Sequence, residues 1–317
     1  MTANTVTNSV MESLRYLALC VALGVVAVWA SENLFWFIPP PDLAPLDLLW
    51  SVIGYSIACG VALSAVIATG VRGVQAAFLG GAIVGYVAEG VIVGTIYSPL
   101  PFFWVWTPLA WHALLSGALV LGVGRAGHAL GPRRTALVWV ALGVGAAFWG
   151  QYWPSERPEL PTTGALTAYL VGFGGLLLVA HRMMDWLAYL PRPPRAMLWI
   201  APGLASLVWV AQGVADLNPM RVLLPVVMGL LWWTMRRLGE PNEPVSLGAP
   251  VPLAHHALFL LAPAVAVVLA PMGWGLGGGT LEANVIVAAL TCIGSIAWLG
   301  RLVVVAAKSK RPLGAPR

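Results

Sequence analysis

The sequence predicts an all-α fold: a polytopic transmembrane bundle of about ten helices in a single integral membrane domain over 1–317, with both termini cytoplasmic. Three observations predict it. Charge is scarce, apolar segments long enough to cross a bilayer recur along the chain, and arginine is distributed unevenly between their connections. Of the 317 residues, 59% are hydrophobic and 9% charged, and the mean hydropathy is +0.84. Soluble domains carry roughly 25% charged residues, so a surface this poor in charge is one that faces lipid. The longest polar stretches, 239–247 and 308–317, are too short to bury a core of their own, which leaves no room for a second, soluble domain.

The apolar segments fall at 14–37, 47–70, 73–97, 102–124, 135–153, 163–181, 196–216, 219–235, 252–271 and 282–306. Hydrocarbon offers no partner to an unpaired backbone group, so each reads as a helix. None alternates with the period of two over about ten residues that a membrane β-strand requires. The first segment carries Arg15 and the loosely cleavable Val28-Trp29-Ala30 of a signal peptide. Its apolar run continues through Leu34, Phe35, Trp36 and Phe37, so it is expected to remain a helix. Pro39, Pro40 and Pro41 stop it. On the third segment Gly81 and Gly85 form a small-xxx-small pair, read as a site of close helix packing. Pro99 and Pro101 make the turn into the fourth segment, and Pro191, Pro193 and Pro194 break the chain after the sixth. The fifth and eighth segments are short. The glycine-rich stretch 273–279 lacks a following Lys-Ser/Thr and a preceding strand, so it reads as a loop and not as a phosphate site. Most of the 16 tryptophans sit near segment ends, as an interfacial aromatic belt requires.

Arginine and lysine fix the expected orientation. With the amino terminus inside, all of the 17 basic residues except Arg157 and Arg221 fall on the inner side. The expected location is the cell membrane, a bacterial inner membrane in particular. A net charge of +5 is explained by these helix-end arginines, and no basic patch with interleaved aromatic residues argues for nucleic acid. Cys20, Cys59 and Cys292 lie inside apolar segments without CxxC spacing and are expected to be small buried hydrophobes.

Ionisable groups within a spanning helix are functional candidates because each costs roughly 2.5–3.5 kcal/mol at the bilayer centre. Glu89 and His112 are the two that escape an interfacial explanation. They flank the turn between the third and fourth helices at nearly equal sequence distance, which puts both roughly 15 Å below its tip. Pro108, one turn before His112, frees the carbonyl of Trp104 and is expected to disturb the helix. Together the acid and the imidazole suit a general base, a pair of metal ligands awaiting a third, or a proton relay. The plainer alternative is a mutually satisfied pair that only fixes packing. Glu32, beside the apolar run 34–37, is the best third member of a catalytic set. Asp216 and Glu282 read as interfacial or capping residues. On the inner side, Asp185 is expected to pair with Arg182, and His255 and His256 to be solvated at the interface.

Three functions are compatible with this reading. One is a membrane-embedded enzyme acting on a lipid, isoprenoid or other hydrophobic substrate from the outer half of the bilayer, through the Glu/His pair. Another is a secondary transporter of a small metabolite. The third is a non-catalytic subunit of a membrane complex. Residues 89–111, with Pro108-Leu109-Ala110-Trp111, resemble a stretch of membrane carotenoid-modifying enzymes, but no specific motif accompanies the likeness and no family membership follows. The helix count and short loops are similar to those of drug/metabolite transporters, again in architecture alone. The expected partners are membrane lipid and a hydrophobic or small-molecule substrate. No motif specifies a cofactor, and the sequence does not specify an oligomeric state.

Overall fold

A computed structural model describes residues 3–97, 101–125, 127–157, 159–187, 189–241, 247, 250–277, 279 and 282–309. It is a helical bundle with no β-strand among the described residues. Among the described residues, nine helices are long and apolar enough to cross a membrane. The expected tenth, over 219–235, is a helix of 16 residues preceded by a short 3-10 turn, and it falls short of the length and apolarity of a full span.

In chain order, α1 is Ala3–Val28 and continues in π-helical form over Trp29–Phe35. Helix α2 is Pro45–Thr69, and α3 is Gly73–Val87 with a π-helical end over Ala88–Ile92. Helix α4 is Phe103–Val105 followed by a π-helical body over Trp106–Val123. Helix α5, Gly127–Trp149, is broken at Gly131, whose φ of 72° only glycine adopts without strain, so its spanning part starts there. Helix α6 comprises Thr163–Gly172 and Gly174–Leu187. The remaining helices are α7 (Met197–Ala215), α8 (Leu223–Leu238), α9 (Leu261–Gly275, opened by turns from Leu253) and α10 (Ala283–Lys308).

Helices α1 to α4 form the centre. Helix α3 packs along α4, α1 along α2, and α2 along α3; α5, α6 and α9 cover one flank and α7, α8 and α10 the other. The α3–α4 approach is the tightest, and glycine makes it possible. A methyl group on Gly81 would lie 2.6 Å from the His112 carbonyl oxygen, and one on Gly117 would lie 2.4 Å from that of Ala77. The small-xxx-small pair read from the sequence therefore does meet a neighbouring helix. Helix α1 turns one face into the core, with Leu19, Val28, Trp29 and Leu34 inaccessible, and leaves Leu14, Leu17 and Val21 exposed. Helices α7 and α10 turn apolar side chains outward, among them Trp199 and Leu290, as lipid-facing helices do. Arg157 and Arg221 are both tied down at the end of the bundle opposite the other arginines. Arg157 donates to the Pro39 carbonyl at 3.0 Å, and the Arg221 guanidinium lies 4.6 Å from the ring centroid of Tyr97.

Candidate functional site

Helix geometry singles out the candidate residues before any contact is considered. Glu32, Glu89 and His112 each lie in a π-helical stretch, in α1, α3 and α4 respectively. Such stretches are rare and concentrate at functional sites, because widening the turn re-aims side chains and disturbs the backbone ladder. In α4 the cause is Pro108. The carbonyl of Trp104 that it deprives of a helical donor accepts instead from the Tyr86 hydroxyl of α3, at 2.9 Å. Gly85 lets this happen, for a methyl there would lie 2.5 Å from the Cα of Pro108 and 2.9 Å from the Cβ of His112.

The two central side chains meet. Nε2 of His112 lies 3.2 Å from Oε1 of Glu89, with the imidazole only 1% accessible and the Glu89 side chain 16%. The Thr95 hydroxyl donates to the other carboxylate oxygen. Helix α3 ends at Ile92 and not near Tyr97, so Glu89 occupies its last turn and is shallower in the span than sequence spacing alone implies. The chain after it folds back as a cover. Tyr97 donates to the Gly90 carbonyl at 2.7 Å and is itself buried, and Gln212 of α7 donates to the carbonyl of Ile92.

Glu32 joins at one remove. No hydrogen bond links it to Glu89 or His112 among the described residues. Its carboxylate accepts from the Tyr55 hydroxyl at 2.6 Å, and the Tyr55 ring lies 5.7 Å from that of His112. Tyr55 also lies within reach of the Ser31 hydroxyl, at 3.1 Å, and Tyr169 donates to the Glu32 carbonyl at 2.5 Å. Tyr55 is thus the residue that sequence reasoning missed. It sits inside an apolar run of α2 where an aromatic residue attracts no notice, and only the packing of α1 against α2 brings it between the two acids.

Beside His112 opens a cavity of about 390 Å³ between α1, α2, α3 and α4, lined also by Met184 of α6 and by Leu190 and Leu247. Its wall is almost wholly apolar. The exceptions are Cys59, His112, Ser116 and Arg125. Of the three candidate catalytic residues, His112 lines it; Glu89 and Glu32 do not. The chamber runs along α4 from His112 toward the arginine-rich end, not toward the tip of the α3–α4 hairpin. Nδ1 of His112 and Oγ of Ser116 are both buried and find no hydrogen-bond partner among the described residues.

At the far end of the chamber a second polar cluster corrects two expectations. Asp185 does not pair with Arg182. Its carboxylate takes Arg125 at 2.7 Å, His256 at 2.6 Å and the Val251 amide at 3.2 Å. His256 is accordingly buried and not solvated, and it stacks on His181 with ring centroids 5.3 Å apart. Arg125 completes the cluster by donating to the carbonyls of Leu247 and His181. Burial pushes the guanidinium of Arg125 below its ordinary value, and the Asp185 carboxylate opposes that shift. Among the described residues, no three His, Cys, Asp or Glu side chains gather as a metal centre requires. Cys20 and Cys59 are free and buried.

No protein-family model matches this chain, and neither a curated protein nor a solved structure is recognisably similar to it.

Proposed function

We propose that the protein is a membrane-embedded enzyme acting on a hydrophobic substrate, with His112 as general base and Glu89 as the carboxylate that orients it. The carrying observation is that one imidazole serves two surroundings. It meets Glu89 through Nε2, and it forms part of the wall of an apolar chamber large enough for a ligand. A proton on Nε2 directed at Glu89 leaves the Nδ1 lone pair free to accept one from substrate, and the carboxylate then stabilises the imidazolium. The proton returns to the product from the same nitrogen. Such assistance is worth roughly 10²–10⁴ in rate. Glu32 and Tyr55 support the site by fixing α1 against α2 beside the His112 ring.

The apolar wall favours this reading over transport of a polar metabolite, for which the lining would have to replace water around the solute. On the positive-inside reading, which assigns the arginine-rich end to the cytoplasm, the chamber extends inward from the reacting groups.

The test is comparative lipid and metabolite profiling. Cells lacking the protein are complemented with the wild type, Glu89→Gln or His112→Ala at matched membrane abundance. Both variants are expected to reproduce the deletion profile: a substrate accumulates and a product is lost. Full complementation by both would overturn the proposal.

A further inference from the structure

The carboxylate of Glu89 has two oxygens, and each is held by a different element. Oε1 faces Nε2 of His112 at 3.2 Å, and Oε2 accepts from the Thr95 hydroxyl. Glu89 stands in the last turn of α3 with 16% of its side chain accessible. A glutamate side chain turns about several torsions. Held by the imidazole alone, this one has rotamers open to it that point toward water and away from His112. A second hydrogen bond, to the opposite oxygen, fixes the plane of the carboxylate as well as its position.

Thr95 is itself fixed by a part of the bundle distant in sequence. Gly94, with a φ of 87°, reverses the chain after α3, a conformation that favours glycine. The 3-10 turn Thr95–Tyr97 follows. Tyr97 fastens it through its hydroxyl, its carbonyl and its ring. The hydroxyl donates back to the Gly90 carbonyl of α3 at 2.7 Å. The carbonyl accepts from the Asn218 side-chain amide at 3.5 Å. The ring carries the guanidinium of Arg221, 4.6 Å from its centroid, as a cation–π contact. Ile96, in the middle of the turn, is inaccessible and lies over Gly90 beside Leu224 of α8. Asn218 and Arg221 belong to the junction of α7 and α8, and from α7 itself Gln212 donates to the Ile92 carbonyl at 3.3 Å. The cation–π contact gives buried Arg221, one of the two arginines on the outer side, a task there. Thr95, in contrast, is exposed. A hydrogen bond from an exposed hydroxyl adds little to folding stability, so its consequence lies in where the carboxylate points.

We infer that Thr95 is a positioning residue for the Glu89–His112 pair, and that the α7–α8 junction keeps it in that role through Asn218 and Arg221 on Tyr97. This rests on the proposed role of His112 and names what holds its partner in line. The pair is thereby coupled to two helices, α7 and α8, that contribute no residue to the chamber wall among the described residues. A shift of their junction frees the turn, and with it the carboxylate.

The experiment is nitrogen-15 NMR of full-length, histidine-labelled protein in phosphatidylcholine nanodiscs, with the His112 signals identified by their loss in His112→Gln. Thr95→Val, close in shape but without the hydroxyl, should move the Nε2 resonance in the same direction as Glu89→Gln does and by about half as much. Thr95→Ser, which keeps the hydroxyl, should return it to the wild-type position. Arg221→Gln should reproduce the Thr95→Val shift. The double variant should move it no further, because the two residues act along one path. Product formation in the complementation assay should fall about tenfold in Thr95→Val, the rate equivalent of one hydrogen bond to a charged group, and recover in Thr95→Ser. An Nε2 resonance unmoved by Thr95→Val, or a shift that Thr95→Ser does not reverse, overturns the inference. Additive shifts in the double variant overturn the part given to Arg221, and Asn218→Ala replaces Arg221→Gln if the latter fails to fold. The two readings fail separately. A reversible shift at Thr95 with full complementation by Glu89→Gln and His112→Ala keeps the positioning and removes the catalysis. An unmoved resonance with complementation lost in Glu89→Gln removes Thr95 and keeps the catalysis.

Discussion

The Tyr86 hydroxyl, 2.9 Å from the carbonyl of Trp104, supplies to α4 the hydrogen bond that Pro108 takes away. A break in one membrane helix is thus repaired from its neighbour, and the repair locks α3 to α4 about two turns from His112. Tyr86→Phe leaves that buried carbonyl without its donor. The expected loss is about 1–3 kcal/mol in unfolding free energy, read by denaturant titration in detergent, with a loss below 0.5 kcal/mol on the order of experimental error contradicting the assignment.

Gly85 tests the same contact from the steric side. A Cβ there meets the backbone of Pro108, which cannot swing aside. Gly85→Ala is expected to destabilise the fold by roughly 1–3 kcal/mol, the usual cost of overpacking, and to lower activity more than an equally destabilising change on α10. Gly145, with open space around it, is the control: Gly145→Ala should be neutral or slightly stabilising.

The buried Asp185 cluster holds the segment before α9 against α4 and α6. Asp185→Asn leaves the Arg125 guanidinium buried without its counter-charge, an error worth about 3–5 kcal/mol. Combining it with Arg125→Met should recover part of that loss, because both charges then disappear together. A double variant no more stable than Asp185→Asn would show that the two residues do not act as a pair.

Glu32 and Tyr55 should behave as supports. Tyr55→Phe removes the hydrogen bond to the Glu32 side chain, worth about 0.5–3 kcal/mol, whereas Glu32→Gln keeps an acceptor oxygen and only weakens that bond, and both are expected to reduce turnover less than Glu89→Gln does. If Glu32→Gln abolishes product formation in a stably folded protein, Glu32 belongs among the reacting groups themselves.

Much of this architecture was legible in the residues. Hydropathy reports the local cost of leaving water, so the spans at 47–70 and 282–306 emerge within a few residues of α2 and α10. Symmetric spacing in the sequence about 98–101, three of whose residues lie outside the described ones, predicted the meeting of Glu89 and His112 that the structure shows. Rotation about the helix axes was not legible, nor was the choice of partners far away in sequence. Asp185 takes Arg125 and His256 from two other helices, whereas local spacing pointed to Arg182. Tyr55 escaped notice for the same reason. The π-helical turns were only hinted at by Pro108, and one of them ends α3 soon after Glu89.

The central claim is that Glu89 fixes the His112 tautomer, leaving Nδ1 without a proton. Nitrogen-15 NMR of histidine-labelled protein in lipid, with His112 assigned by difference against His112→Gln, reads this directly. At neutral to mildly alkaline pH the wild type should show a protonated Nε2 and a bare Nδ1, and Glu89→Gln should shift the Nε2 resonance. A proton on Nδ1 with Nε2 bare, or a spectrum indifferent to Glu89→Gln, would contradict the account.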